Sequence, residues 1–157
     1  MKVYFLDTSA LVKRYHQERG SQVIDAVFAE QDRQIVISDL SIIELGSALA
    51  KKVREGEISV EKYHRAIGLF CQDVVTETIQ VETLGEVDKA VAAALLETHG
   101  LRTNLRTLDS LQLAMMKRVS ETQLDQVLCA DRAFCSLIQR EGIVVRNPEE
   151  DQVKAGG

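Results

Sequence analysis

Four acidic residues, Asp7, Glu44, Asp109 and Asp131, are far apart in the chain but alike in local setting. Asp7 lies in FLDTSALVK, Glu44 in SDLSIIELGSAL, Asp109 in LRTLDSLQLA and Asp131 in VLCADRAF. Each stands where a strand-like run hands over to a helical pattern or within the opening turns of a helix. Carboxylates so placed can converge at one edge of a sheet. Within a few ångströms of each other they repel by about 4 kcal/mol per close pair at an effective dielectric of about 20, unless protons or a cation neutralise them. An all-oxygen set without His or Cys selects Mg²⁺ or Mn²⁺ over zinc. Such an ion activates water for in-line attack on a phosphodiester and stabilises the leaving oxygen. The chemistry these residues predict is phosphodiester hydrolysis.

Each acid also has a structural reading. Asp is a favoured N-cap because its side chain accepts a bond from an unsatisfied helix N–H, which suits Asp7, Asp109 and Asp131. Ser41-Ile42-Ile43-Glu44 fits a capping box. Against caps alone stand the apolar neighbours: Ile42, Ile43 and Leu45 around Glu44, and Leu108, Leu111 and Leu113 around Asp109. An unpartnered carboxylate in such surroundings is costly, and no Lys or Arg recurs at a fixed offset to serve all four.

The elements that must position these residues follow from periodicity. Short β-branched runs at residues 3–6, 35–37, 79–81, 126–129 and 143–145 read as buried strands. Between them, helical spacing marks 10–16, 21–29, 41–54, 60–75, 84–98, 110–119 and 132–139. This alternation predicts an α/β fold, with a parallel sheet joined by right-handed crossovers and helices on both faces. Ligands in that architecture bind beyond the carboxyl ends of the strands, where strand order reverses. Asp7 and Asp131 directly follow strands and project there. The helical hairpin 41–54 and 60–75 carries Leu45, Leu49, Val53, Ile67 and Phe70 at spacings of three or four, a stripe that can face the sheet or a partner.

Length and composition bound the rest. At 157 residues and 45% hydrophobic content, one domain with one core is expected, over residues 1–147, with a polar tail at 148–157 that frays from Glu149 onward. No apolar run reaches the ~20 residues that span a bilayer and no signal peptide is evident, which predicts a cytoplasmic protein without membrane contact. Cys71, Cys129 and Cys135 lack CxxC spacing and read as plain thiols. The net charge of -5 provides no global field for nucleic acid, so contact must rest on local patches: Lys13 and Arg14; Lys51, Lys52 and Arg54; Arg102 and Arg106; Lys117 and Arg118. Lys13, Arg14, Arg102 and Arg106 are the candidates for contact with backbone phosphates of a nucleic acid. With Ser9 two residues after Asp7, and no glycine-rich loop after Leu6, neither an aspartyl-phosphate phosphatase nor a phosphate-loop enzyme fits.

Leu6-Asp7-Thr8-Ser9-Ala10-Leu11, Ser41-Ile42-Ile43-Glu44-Leu45, Arg106-Thr107-Leu108-Asp109-Ser110-Leu111-Gln112-Leu113-Ala114 and Ala130-Asp131 occur in that order. In this the chain resembles PIN-domain nucleases, close to the VapC-type toxins, over roughly residues 1 to 147. The resemblance implies a three-layer α/β/α sandwich around a central parallel sheet. It also implies Mg²⁺- or Mn²⁺-dependent cleavage of RNA, commonly by a homodimer inhibited by a small antitoxin protein. By matching position, Asp7, Glu44 and Asp109 are the central acids, Asp131 the fourth, and the Thr8 hydroxyl helps to position the site. The family often has Ser or Thr two residues before the fourth acid, where this chain has Cys129. Rival readings are a catalytically silent PIN module that binds RNA or protein, and a standalone RNA-processing nuclease.

Overall fold

Val3, Tyr4, Phe5 and Leu6 are consecutive buried residues of strand β1 (Lys2–Leu6), and successive side chains point to opposite faces. A strand apolar on both faces belongs inside a parallel sheet covered by helices. The computed structural model, which describes residues 1–150, places it there. β1 is flanked by β2 (Arg33–Ser38) and β4 (Gln126–Leu128), with β3 (Gln80–Glu82) and β5 (Val145–Arg146) outside them. All pairings are parallel and the order is β3-β2-β1-β4-β5. Strand order therefore reverses between β1 and β4.

Two helical layers cover the sheet. On one face α1 (Thr8–Tyr15), α2 (Ser21–Ala29), α3 (Leu40–Arg54) and α4 (Val60–Val75) pack Leu11, Ile24, Leu45 and Phe70 against Tyr4, Leu6, Ile35 and Ile37. On the other, α5 (Glu86–Leu95), α6 (Thr107–Ser120) and α7 (Arg132–Arg140) pack Ala92, Leu113, Met116 and Phe134 against Val3, Phe5, Val36 and Val127. Among the described residues no helix is long and apolar enough to cross a membrane.

The structure departs from the sequence reading at a few places. The stripe on the helical hairpin is internal: Leu45, Leu49 and Phe70 are buried in the α1–α4 core, and Val53 and Ile67 pack against it. Most of it therefore faces the protein's own core, with only Val53 and Ile67 partly exposed. The helix expected to run to Thr98 leaves α-geometry after Leu95 and closes as a π-helical turn, Leu96–Gly100. There the His99 Nε2 lies 2.6 Å from Glu141 Oε1, and Thr103 Oγ1 donates to the His99 carbonyl at 2.8 Å. Residues 101–106 then lead irregularly to α6.

Residues 147–149 are held more firmly than expected. Asn147 and Pro148 are buried, and the Glu149 carboxylate accepts from Lys13 Nζ at 2.7 Å. Gly20, at φ 89°, has the Pro148 backbone 3.1 Å from where a Cβ would stand, so this close approach requires glycine. Glu149 is thus anchored rather than frayed, because it neutralises a buried ammonium. Residues 151–157 of the expected tail lie outside the described residues.

Candidate active site

Asp7 ends β1 and caps α1, whose Ser9 N–H it accepts at 3.1 Å through Oδ2. The Asp7 N–H donates to the Leu128 carbonyl at 3.0 Å, which ties the ends of β1 and β4 together at the point of reversal. Asp131 follows β4 and caps α7 by accepting the Phe134 N–H at 3.0 Å. Asp109, in the first turn of α6, accepts the Arg106 N–H at 3.4 Å. The capping roles read from sequence are therefore real, but each occupies only part of a carboxylate. The capping box expected for Glu44 does not form. α3 starts at Leu40, one residue before Ser41, and Glu44 accepts instead from Gln112 Nε2 at 2.8 Å.

Asp7, Glu44, Asp109 and Asp131 all line one open cleft of about 500 Å³, with Thr8 and Ser9 on its floor and Lys51 and Arg54 on its rim. None of the four acids forms a salt bridge among the described residues. Asp7 is 8% exposed, and burial pushes its pKa up to about 6. The Ser9 hydrogen bonds oppose that shift, while the charges of Glu44 and Asp109 add to it. Glu44 and Asp109 are raised above the usual carboxylate range as well, by burial first. Asp109 adds to the shift of Glu44, and Asp131 to that of Asp109. The site thus concentrates negative charge that no salt bridge neutralises among the described residues, although the Arg106 charge partly offsets it at Asp109.

Polar side chains hold this cluster from behind. Ser9 Oγ donates to Asp7 Oδ2 at 2.5 Å and accepts the Ala130 N–H at 2.9 Å, so one hydroxyl joins the β1 and β4 ends. The Cys129 thiol lies 3.7 Å from Ser9 Oγ and 3.8 Å from Asp7 Oδ2. Its pKa is pushed up, by its hydrogen bond with Cys135 first and by burial next, so it adds no charge. Thr8 Oγ1 donates to Ser41 Oγ at 3.2 Å, and Gln112 Nε2 bonds both Ser41 Oγ, at 3.0 Å, and Glu44. Gln112 Oε1 is buried without a partner among the described residues.

Three observations fit a hard cation here: the donors are all oxygen, none of them is held in a salt bridge, and a buried amide oxygen is orphaned beside them. Among the described residues no three His, Cys, Asp or Glu side chains converge on one ion position, and a hydrated Mg²⁺ needs only one or two of these carboxylates directly.

The basic candidates separate. Lys13 is 3% exposed and its ammonium is held by Glu18, at 2.9 Å, and Glu149. Arg14 pairs with Asp25 at 3.0 Å and stacks 4.5 Å over Phe28. Both are occupied by the fold, which corrects the expectation that they face phosphate. Arg106 lies beside Asp109, whose carboxyl its charge draws down, and Arg102 is exposed on the preceding segment.

Residues 4–137 match the PIN domain. The chain belongs to the PIN-domain family. The same fold occurs in VapC20 of Mycobacterium tuberculosis, described as a Sarcin-Ricin loop cleaving toxin, at TM-score 0.67 and 17% identity over 90% of this chain and 96% of that one. FitAcB from Neisseria gonorrhoeae has TM-score 0.65 and 17% identity over 92% and 97% of the two chains. A toxin-antitoxin complex from Klebsiella pneumoniae has TM-score 0.62 and 15% identity over 92% and 97%. No curated protein matches the chain.

Sequence reasoning about this PIN domain missed Ser9, Ser41 and Gln112 as positioning residues and passed over Lys51 and Arg54 on the cleft rim. Their signals were present as spacing. Gln112 is three residues after Asp109 and Ser41 three before Glu44, while Lys51 and Arg54 recur on the Glu44 face at helical intervals.

Proposed function

We propose that this PIN domain is a Mg²⁺- or Mn²⁺-dependent endoribonuclease and the toxin of a type II toxin-antitoxin pair. The observation that carries this reading is the set of four unpaired carboxylates lining one cleft at the strand-order reversal, the deepest with its pKa raised to about 6. Asp7, Asp109 and Glu44 would hold the ion, with Asp131 as a further ligand. When bound, the ion supplies charge neutralisation at the phosphodiester and lowers the pKa of the attacking water.

The chain's own residues do the rest. Ser9 fixes the Asp7 carboxylate against rotation. Ser41 and Gln112 fix Glu44, and the Thr8 hydroxyl reaches that network through Ser41. Lys51 and Arg54 in the cleft and Arg106 in the adjoining cavity, with Arg102 exposed on the segment before α6, offer positive charge to a backbone that the acids alone would repel. A small antitoxin protein as partner is supported by the toxin-antitoxin complex that has this fold. A homodimer is the second assembly expected of this reading, and light scattering tests it.

The test is incubation of purified protein with RNA, with and without Mg²⁺ or Mn²⁺. Cleavage is expected only with metal. Asp7→Asn or Asp109→Asn should lower the rate by more than the 10- to 100-fold typical of outer-shell changes, with an unaltered circular dichroism spectrum. Undiminished cleavage in excess chelator would falsify the reading.

A further inference from the structure

A second cavity, of about 250 Å³, opens beside the acidic cleft and shares Asp109, Asp131 and Phe134 with it. It lies between the irregular segment 101–106 and α7. Its floor is apolar, made by Phe134 and Leu137, and its rim carries Asn104, Arg106, Ser136 and Arg140. Apart from the charge that Arg106 exerts on Asp109, these rim side chains are little engaged by the fold. Among the described residues the Asn104 amide and Ser136 hydroxyl make no hydrogen bond, and the Arg106 and Arg140 guanidinium groups form no salt bridge.

The chemistry of this rim is selective. A primary amide presents a donor and an acceptor side by side, the pattern that pairs with a nucleobase edge, and a hydroxyl can do either. An apolar floor suits a flat ring removed from water. Two guanidinium groups without salt bridges among the described residues stand at the mouth and suit the phosphates on either side of it. The volume is below the roughly 300–1,000 Å³ of pockets for drug-sized ligands, so it takes one ring rather than several. A protein with only 4% aromatic residues lacks an extended stacking surface, and a single pocket is the economical alternative.

We propose that this cavity receives the nucleobase adjoining the cleaved phosphodiester of single-stranded RNA, with Asn104 and Ser136 reading its edge and Arg106 and Arg140 holding the flanking phosphates. The pocket then sets base preference at one position next to the cut. The proposal rests on the ribonuclease reading for its cleavage arm and on binding alone for its other arm.

Two measurements on the full chain test it. In the first, cleavage sites on RNA of randomised sequence are mapped for wild type, Asn104→Ala and Ser136→Ala, all changes at exposed positions. Wild type should show a base preference at one position beside the cut, and Asn104→Ala should relax that position alone, by roughly the 5- to 150-fold that 1–3 kcal/mol represents. In the second, a fluorescently labelled single-stranded RNA of randomised sequence is titrated in chelator across salt concentrations. Arg140→Ala should weaken binding and flatten the salt slope by about 0.7, and Arg140→Lys should restore the slope. Cleavage with unchanged base preference in the variants overturns the pocket and leaves the nuclease standing. Binding that depends on Asn104 and Arg140 without cleavage under any metal overturns the nuclease and leaves the pocket. RNA affinity that is absent, or equal in all variants, overturns the inference.

Discussion

Asp7 combines the deepest burial with the largest displacement among the four acids, and its consequences are measurable without RNA. Its pKa is about 6 against an ordinary 3.8, so the folded chain keeps the Asp7 proton after the unfolded chain has lost it. Stability from this group is therefore present below about pH 4, falls as pH rises toward 6, and above that is lower by on the order of 3 kcal/mol. Metal-free Asp7→Asn should consequently be more stable than wild type at neutral pH and nearly equal to it in acid. The Glu18 and Glu141 carboxyls are drawn below their usual range by Lys and His partners and act in the opposite direction, but they cancel in the difference between the two proteins. Denaturant unfolding of both in chelator, repeated across pH, reads the difference directly; a constant gap would refute the assignment. Ser9→Ala should cost activity about 10- to 100-fold with little loss of stability, as for residues that orient ligands from behind. At this scale the acids were legible because burial next to apolar residues makes a carboxylate conspicuous. Ser9 was not, because its value lies in contacts to Asp7 and to Ala130, more than a hundred positions apart.

Helix α1 shows why a basic pair near an active-site acid is a poor guide to substrate contact. Lys13 and Arg14 follow Asp7 by less than two turns, yet both turn toward α2 and the chain end, where Glu18, Asp25 and Glu149 wait. The sequence marked these as rim charges since the partners come from elements whose placement depends on the whole fold. Lys51 and Arg54 on α3 have the reverse character. Arg54 forms no salt bridge among the described residues, and Lys51 meets only the exposed Glu55, at 3.8 Å, a contact of small worth. The two sets should separate experimentally. Lys13→Ala should lower stability by about 1–3 kcal/mol, since it removes charged hydrogen bonds to two partly exposed acids, and should leave RNA affinity as it was. Lys51→Ala and Arg54→Ala should leave stability within about 0.5 kcal/mol and each reduce the salt slope of RNA binding by about 0.7. Denaturation midpoints and salt-dependent anisotropy distinguish them, and a Lys13 variant with weakened RNA binding at full stability would reverse this assignment. Helix limits elsewhere were read within a few residues, except where α5 passes into the π-helical turn, whose His99 meets Glu141, a partner 42 positions away that local propensity does not reveal.

At the scale of the molecule, strand order was beyond the reach of periodicity, which finds buried strands but not their neighbours. The alternation of strand and helix nonetheless implied a crevice at a reversal, and the order β3-β2-β1-β4-β5 puts that reversal between the two strands followed by Asp7 and Asp131. The cleft so formed is a concentration of negative charge in a chain already carrying a net -5. A fold that tolerates this repulsion when metal-free should gain stability when a cation relieves it. At a free ion concentration of 100 times the dissociation constant the gain is about 2.7 kcal/mol. For a chain of this size each kcal/mol moves the melting temperature by roughly 2–4 °C, so Mg²⁺ or Mn²⁺ should raise it by roughly 5–11 °C. Asp7→Asn and Glu44→Gln should start higher in chelator, because each removes one repelling charge, and should gain less from the ion, because each removes a donor. Wild type and variants therefore approach one another as metal is added. Differential scanning calorimetry at a fixed pH near neutrality follows that convergence, and parallel curves with equal metal-induced shifts would mean that these carboxylates do not share an ion.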